Sequence, residues 1–497
     1  MKEELPFTTF PSLINLQIKN GSELKRLLSY INDKACARFA THISGKIRDE
    51  IKEKIRNADV ISVMFDGATD CAVSEVEIDC EDGEVKNFLI GLEDLEHAHA
   101  EGTFKAIDKS MKNYGCENWK EKVVAMGCDG AKVNIGVHDS VATRMKDEGR
   151  DYVLAVHCIA HRLELGVLSA IKNNNYLATV QDMLNKIHKH YHYSPKALRE
   201  LREIADTLDE RIIKPTRLQG TRWAPHINKA IKSLCSSYLV ILAHFEHVSQ
   251  ARPGQTTPAV VGRATYMVNK LRDWRILCFM FFMHDLLEII SILSLKFQKD
   301  DGTSMEFLDG LETANLSLIQ LGQQHGEQLQ AFMDSLTTDA NGNCVFKNTV
   351  LTHYNANADY CELRAITELV AERINGRLES NTDPVKPILQ ACRIFDINDW
   401  PHDRVSLAPY GNTEIRQLSD HFSDVLHDMG CDRNQLQTEW TDVKGHFKNQ
   451  MNGNQNQNIP KVNSLFRFRN RFTNIKCLIK IVLTLPVSRE ALVVSNA

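Results

Sequence analysis

The sequence predicts an α/β region built on a mixed sheet, followed by a long all-α section. Three observations carry this. Short apolar runs rich in Val and Ile recur between residues 60 and 156, one of them in strict polar–apolar alternation. Helical spacing separates the later runs, which is the βα order of a sheet with helices on its faces. From about residue 160 to 390 nearly every stretch has helical spacing, with few breaks.

The elements follow in order. The first sixty residues read as helical, with Ile43, Ile47, Ile51 and Ile55 recurring every four positions among Lys, Arg and Glu. Val60 to Phe65 is a buried-strand run. Glu75 to Cys80 alternates, Glu81-Asp82-Gly83-Glu84 supplies a hairpin turn, and Val85 to Leu92 is the return strand. Spacing then predicts a helix over Glu101 to Tyr114, a strand at Val123 to Gly127 and a helix over Asn134 to Glu148. A fifth strand follows at Val153 to Val156, and a helix begins near Ile159. Breaks in the all-α section are expected at Ser194-Pro195, Lys214-Pro215, Ala224-Pro225 and Arg252-Pro253-Gly254. A loop-rich break is expected from Thr337 to Asn348, centred on Asn341-Gly342-Asn343. Asn452 to Asn458 reads as a polar linker.

Composition excludes several classes. Lys and Arg total 59 against 64 Asp and Glu, a net charge of −5, so nucleic acid can be held only by a local basic face. The thirteen cysteines contain no C-x2-C or C-x4-C pair, which argues against a zinc finger or ribbon. Their odd number and apolar neighbours read as reduced, intracellular thiols. The opening Met1-Lys2-Glu3-Glu4-Leu5-Pro6 lacks the apolar core of a signal peptide. The greasiest run, Ile276 to Met283, meets His284, Asp285 and Glu288 too soon for a membrane span. The expectation is a soluble intracellular protein.

Two carboxylates stand where chemistry is expected. Asp66 closes the first strand and Asp129 the fourth. If those strands are neighbours, both groups meet at one edge of the sheet, where paired carboxylates hold hard cations for phosphoryl transfer. The alternative for each is an Asp-Gly turn after a strand.

From Asp66 onward the sequence resembles the hAT family of DNA transposases, in particular the transposase-derived proteins of animal genomes. The matching blocks are Phe65-Asp66-Gly67-Ala68-Thr69-Asp70, Cys128-Asp129-Gly130-Ala131, His157-Cys158-Ile159-Ala160-His161-Arg162-Leu163-Glu164-Leu165, Ser194-Pro195-Lys196 and Thr221-Arg222-Trp223. Phe282 to Gln298 and Glu439-Trp440-Thr441-Asp442-Val443-Lys444 complete the set. The resemblance implies a ribonuclease-H-like mixed sheet interrupted by a large helical insertion domain. On it, residues 1–57 are an N-terminal helical segment and 58–200 the first part of the core. Residues 201–450 are the all-helical insertion, and 451–497 a linker with a truncated dimerisation and core-closing region. It further implies that Asp66 and Asp129 are the first two acids of a D-D-E site for Mg²⁺ or Mn²⁺. Cys158 and His161 match its C-x2-H block, and Arg222 and Trp223 its pair near the DNA. An Arg can grip a phosphate and a Trp face can receive an unstacked base; the alternative is a helix-end tryptophan packed on the core, with Pro225 starting the next helix.

Cys158 and His161, with His157 beside them, have no second pair at metal spacing, so they are expected to shape the site and no structural zinc is expected. His188, His190 and His192 read as a solvated helix end. Arg467, Arg469 and Arg471, interleaved with Phe466, Phe468 and Phe472, read as a helix with a basic exposed side.

Two departures shape the functional expectation. The amino-terminal zinc finger usual in the family is missing. Its third acid should follow Leu485-Pro486-Val487-Ser488, but Val493 stands at about that place and Glu490 is three residues out of register. The third acid is therefore unassigned. The expectation is a nuclear, catalytically degenerate, domesticated transposase-like protein acting through DNA or protein binding, without a membrane role. The family's homo-oligomer is doubtful here because the dimerisation region is truncated. Two alternatives are an incomplete chain of an active two-metal transposase and a helical protein-interaction scaffold.

Overall fold

The computed structural model describes residues 6–22, 30–67, 71–79, 85–95, 99–216, 223–252, 255–296, 304–355, 361–378, 385–453, 462–468 and 470–486, with the backbone alone described at 66–67, 71–79, 304–309, 361, 451–453 and 463. The chain forms two compact units. One comprises Met1–Val156 with Ile394–Pro486, the other His157–Arg393. The second unit coincides closely with the stretch from about residue 160 to 390 that reads as helical in the sequence.

The first unit is organised by five strands: β1 (Ile61–Gly67), β2 (Cys71–Asp79), β3 (Val85–Asp94), β4 (Val123–Cys128) and β5 (Leu154–His157). They lie in the order β3-β2-β1-β4-β5. β1 and β2 pair antiparallel from Ile61↔Ile78 to Gly67↔Ala72, and β2 and β3 continue antiparallel with a bulge between Ser74 and Glu75. β4 runs parallel to β1, with Val63 opposite Met126 and Met64 opposite Gly127. A parallel neighbour requires a crossover, and the Ala100–Asn113 helix lies within it, burying Ala106, Ile107 and Met111. Every residue of β4 is buried, which explains its unbroken apolar run. The turn expected at 81–84 lies outside the described residues.

Four sequence expectations are corrected. The helix foreseen over Asn134 to Glu148 is two short ones, Lys132–Ile135 and Val141–Asp147. Gly136 is extended between them, and a capping box of Ser140 and Thr143 starts the second. The loop foreseen from Thr337 holds a small antiparallel sheet of β6 (Thr337–Thr338), β7 (Cys344–Phe346) and β8 (Thr349–Val350). Lys347 and Asn348, both at positive φ, make the two-residue turn joining β7 to β8. Ala224-Pro225 is no break: the helix begins at Trp223, so Pro225 occupies the first turn, where its missing N–H costs nothing. The basic helix foreseen at 466–472 is a 3-10 turn, Val462–Arg467, followed by a loop, with the next helix starting at Thr473.

In the first unit the helices Asn412–His421, Leu436–Gly453 and Thr473–Leu483 surround an aromatic cluster in which Trp400 and Trp440 pack edge-on at 5.4 Å. The second unit is built around Trp274–Lys296. That helix is long and apolar enough by composition to cross a membrane, but over half of its most apolar window is buried within the protein, and an all-round apolar helix is what a helical core requires. Its Asp285 carboxylate accepts the backbone N–H groups of Gln328 and Leu329, both at 2.9 Å, and so caps the Glu327–Asp334 helix.

Candidate functional site

The two aspartates are set by strand pairing. In the parallel register of β1 and β4 the last pair is Met64 and Gly127. Asp66 and Asp129 each stand two residues beyond it, so the backbone carries both to the same end of adjacent strands. Gly127 is tightly covered. A Cβ there would stand 3.1 Å from Met64 Cγ and from Pro486 Cβ, so this position of β4 takes no larger residue without displacement.

The Asp129 carboxylate is anchored through one oxygen. Oδ1 accepts the Ala131 N–H at 3.1 Å and the Asn134 Nδ2–H at 2.5 Å. The first bond is the turn-forming contact expected of Asp after a strand; the second ties the carboxylate to a helix whose Asn134 is buried. The side chain is thereby held in one orientation, which serves a turn and a metal ligand equally. In donor chemistry two carboxylates suit a hard divalent cation. Among the described residues no group of three His, Cys, Asp or Glu side chains converges. The stretch bearing Val493 and Glu490 lies outside the described residues, as does Arg222.

In the helical unit the remaining blocks form a second constellation. Cys158 is the N-cap residue of the Ile159–Ile171 helix, and His161 lies one turn in, its ring 5.7 Å from that of His157. Both Cys158 and His161 are half-buried. The residue that links this helix to Trp223 is one the sequence reasoning did not single out. Glu164 accepts the Ala224 N–H through Oε1 at 3.0 Å. A carboxylate there meets an orphan donor and the positive end of the Trp223–Ser236 helix, and so fixes where that helix begins. Trp223 itself is half-buried at the first helical position. In the sequence Glu164 stood only as a member of the His157 to Leu165 block, one turn after His161.

Other blocks have plain structural work. Ser194 caps the Pro195–Leu208 helix by accepting the Ala197 N–H at 3.2 Å. Glu439 accepts the backbone N–H groups of Asn474 and Ile475 at 2.9 and 2.8 Å, capping the Thr473–Leu483 helix. Lys444, 3% exposed, donates to the Ala408 and Tyr410 carbonyls and to Asn412 Oδ1. Burial pushes its ammonium below the usual lysine range. His188 and His192 stack at 5.1 Å, with His188 Nδ1 3.1 Å from the Pro215 carbonyl. His192 is exposed, as a solvated helix end should be, whereas His190 turns inward against Phe245.

No protein-family model matches the chain. The functional reading therefore rests on the residues and their arrangement.

Proposed function

We propose that this chain is a transposase-derived nuclear protein of the hAT type, with a ribonuclease-H-like sheet that binds DNA and has lost cleavage. One observation carries the reading: Asp66 and Asp129 close adjacent parallel strands of a sheet ordered β3-β2-β1-β4-β5. What supports the reading is a mixed sheet in which β1 to β3 are joined antiparallel and β4 lies parallel against β1 after a helical crossover. Asp66 and Asp129 would hold Mg²⁺ or Mn²⁺, whose chemistry is the stabilisation of phosphoryl oxygens. Asn134 and the Ala131 N–H fix Asp129 for that contact. With valine at the place of the third acid, two carboxylates hold the cation weakly and position it poorly.

The test is titration of the full chain with Mn²⁺, followed by electron paramagnetic resonance, alongside a nicking assay on plasmid DNA. Weak Mn²⁺ binding that is lost in both Asp66→Asn and Asp129→Asn, without nicking, is the expected result. Binding unchanged in both variants would remove the metal site. Nicking abolished by Asp66→Ala would replace the degenerate reading with an active transposase.

A further inference from the structure

In the sheet unit, the turn after the Ser423–Asp428 helix and the Thr473–Leu483 helix bring two cysteines together. Cys431 Sγ lies 3.7 Å from the Asn474 carbonyl, in the first turn of the Thr473–Leu483 helix. Cys477 stands one turn further along the same helix, its Sγ 3.4 Å from the Thr473 carbonyl. The two thiols are within hydrogen-bonding reach of each other. Both are half-buried and both are free thiols, so a small solute can approach the pair.

The backbone is fixed on both sides. Gly430, at φ +72°, closes the Ser423–Asp428 helix. Its N–H donates to the His427 carbonyl and the Cys431 N–H to the Leu426 carbonyl, both at 2.9 Å, which is the paired closure of a glycine-ended helix. The next residue, Asp432, donates its N–H to Asn474 Oδ1 at 2.8 Å and so joins the turn to the last helix. Glu439 holds the start of that helix through the Asn474 and Ile475 N–H groups. The two cysteines cannot separate without breaking these bonds.

The pair is chemically asymmetric. The hydrogen bond with Cys431 holds the Cys477 thiol below its ordinary value, and the Lys480 ammonium acts in the same direction against burial. Lys480 is itself paired with Asp59 at 2.5 Å, which moderates its pull. Cys431 is pushed up by Cys477 and by burial. Cys477 is therefore the first to ionise, and the thiolate is the nucleophile. Cys235 and Cys392 show the contrast: burial pushes each up to about 12, where a thiol is inert.

We propose that Cys431 and Cys477 form a reversible disulfide when the protein meets a peroxide, stapling the Thr473–Leu483 helix to the turn after Ser423–Asp428. The Cys477 thiolate attacks one oxygen of hydrogen peroxide. The S–O bond forms, the O–O bond breaks, and the hydroxide released takes up the proton that Cys477 gave up, leaving as water. Cys431 sulfur then attacks the sulfenic sulfur. The S–S bond forms, the S–O bond breaks, and the departing hydroxide takes the Cys431 proton as a second water. Two thiols are oxidised and one peroxide is reduced, and a dithiol reverses the bond by exchange. The stapled helix leads into Pro486, which covers Gly127 of β4, so oxidation tightens the closure of the sheet. The pair is independent of the metal reading of Asp66 and Asp129.

The full chain is treated with hydrogen peroxide, its remaining thiols are alkylated, and its tryptic peptides are read by mass spectrometry. The expected product is a peptide pair joined through Cys431 and Cys477, lost again on treatment with dithiothreitol. Closing this long loop should raise the melting temperature of the oxidised chain by about 5–10 °C over the reduced one. Cys431→Ser should show no such rise and should leave Cys477 as a sulfenic acid that dimedone traps. Cys477→Ser should leave Cys431 reduced. The linkage and the melting shift are both read in the wild-type chain, so a variant that fails to fold leaves the test intact. The proposal falls if peroxide oxidises the protein without joining these two peptides, or if joining them leaves the melting temperature unchanged. A dimedone adduct on Cys431 in Cys477→Ser as abundant as that on Cys477 in Cys431→Ser would overturn the order of attack.

Discussion

Replacing Glu439 by alanine tests how the end of the chain is held to the sheet unit. Its carboxylate receives the N–H groups of Asn474 and Ile475 and, at 2.7 Å, the Asn474 side-chain amide. Ile475 is fully buried, so its N–H has no route to water once the acceptor is gone. An orphaned buried donor costs about 1–3 kcal/mol. The half-exposed Asn474 sits at the low end of that range, and loss of the charge from a helix start adds a few tenths. The sum is about 3 kcal/mol, or roughly 6–12 °C in melting temperature for a unit of this size. Glu439→Gln keeps one acceptor oxygen and should recover about half. Trp440 is the next residue, fully buried, with its indole N–H on the Tyr410 carbonyl at 2.8 Å. Urea denaturation followed by tryptophan fluorescence, to which Trp440 contributes as one of five tryptophans, measures the loss. A Glu439→Ala protein within about 0.5 kcal/mol of the wild type would refute the capping argument.

Two further outcomes are expected. Gly411 has φ +76°, and a Cβ there would stand 2.7 Å from the Trp440 ring, so Gly411→Ala should cost about 2–4 kcal/mol through strain and overpacking. Soluble yield and the urea midpoint measure it, and a wild-type midpoint would contradict the packing seen here. His190 governs part of the acid behaviour of the helical unit. Because burial, with His244 and Arg263 nearby, holds its folded value at about 4, below the ordinary 6.5, the unfolded chain takes up the proton first as pH falls. Stability is therefore complete above about pH 6.5 and declines towards pH 4. His190→Gln should flatten that limb in melting curves taken across this interval, while the similarly depressed His244, which faces Glu200, keeps part of the slope.

The strands were legible because burial writes itself into composition. β4 is buried along its whole length and reads as an unbroken apolar run, and β1 reads likewise. The helices of the second unit were legible for the same reason. What failed to show was structure that depends on single backbone bonds. The small sheet β6–β8 has strands of two or three residues, too short for any periodicity, and its Asn-rich turns read simply as loop. The division at Val156 and Arg393, by contrast, lies close to the limits of the stretch from about residue 160 to 390 that reads as helical.

The sequence by itself determined the α/β-then-α order and the candidate aspartates at two strand ends. Tertiary structure alone decided that the strands bearing Asp66 and Asp129 are parallel neighbours in register. It alone revealed that Glu164 fixes the start of the Trp223 helix, and that the thiols of Cys431 and Cys477 meet. The physical reason is range. Periodicity and turn chemistry act between residues a few positions apart, whereas strand neighbours and carboxylates that cap distant helices join residues 35 or more positions apart.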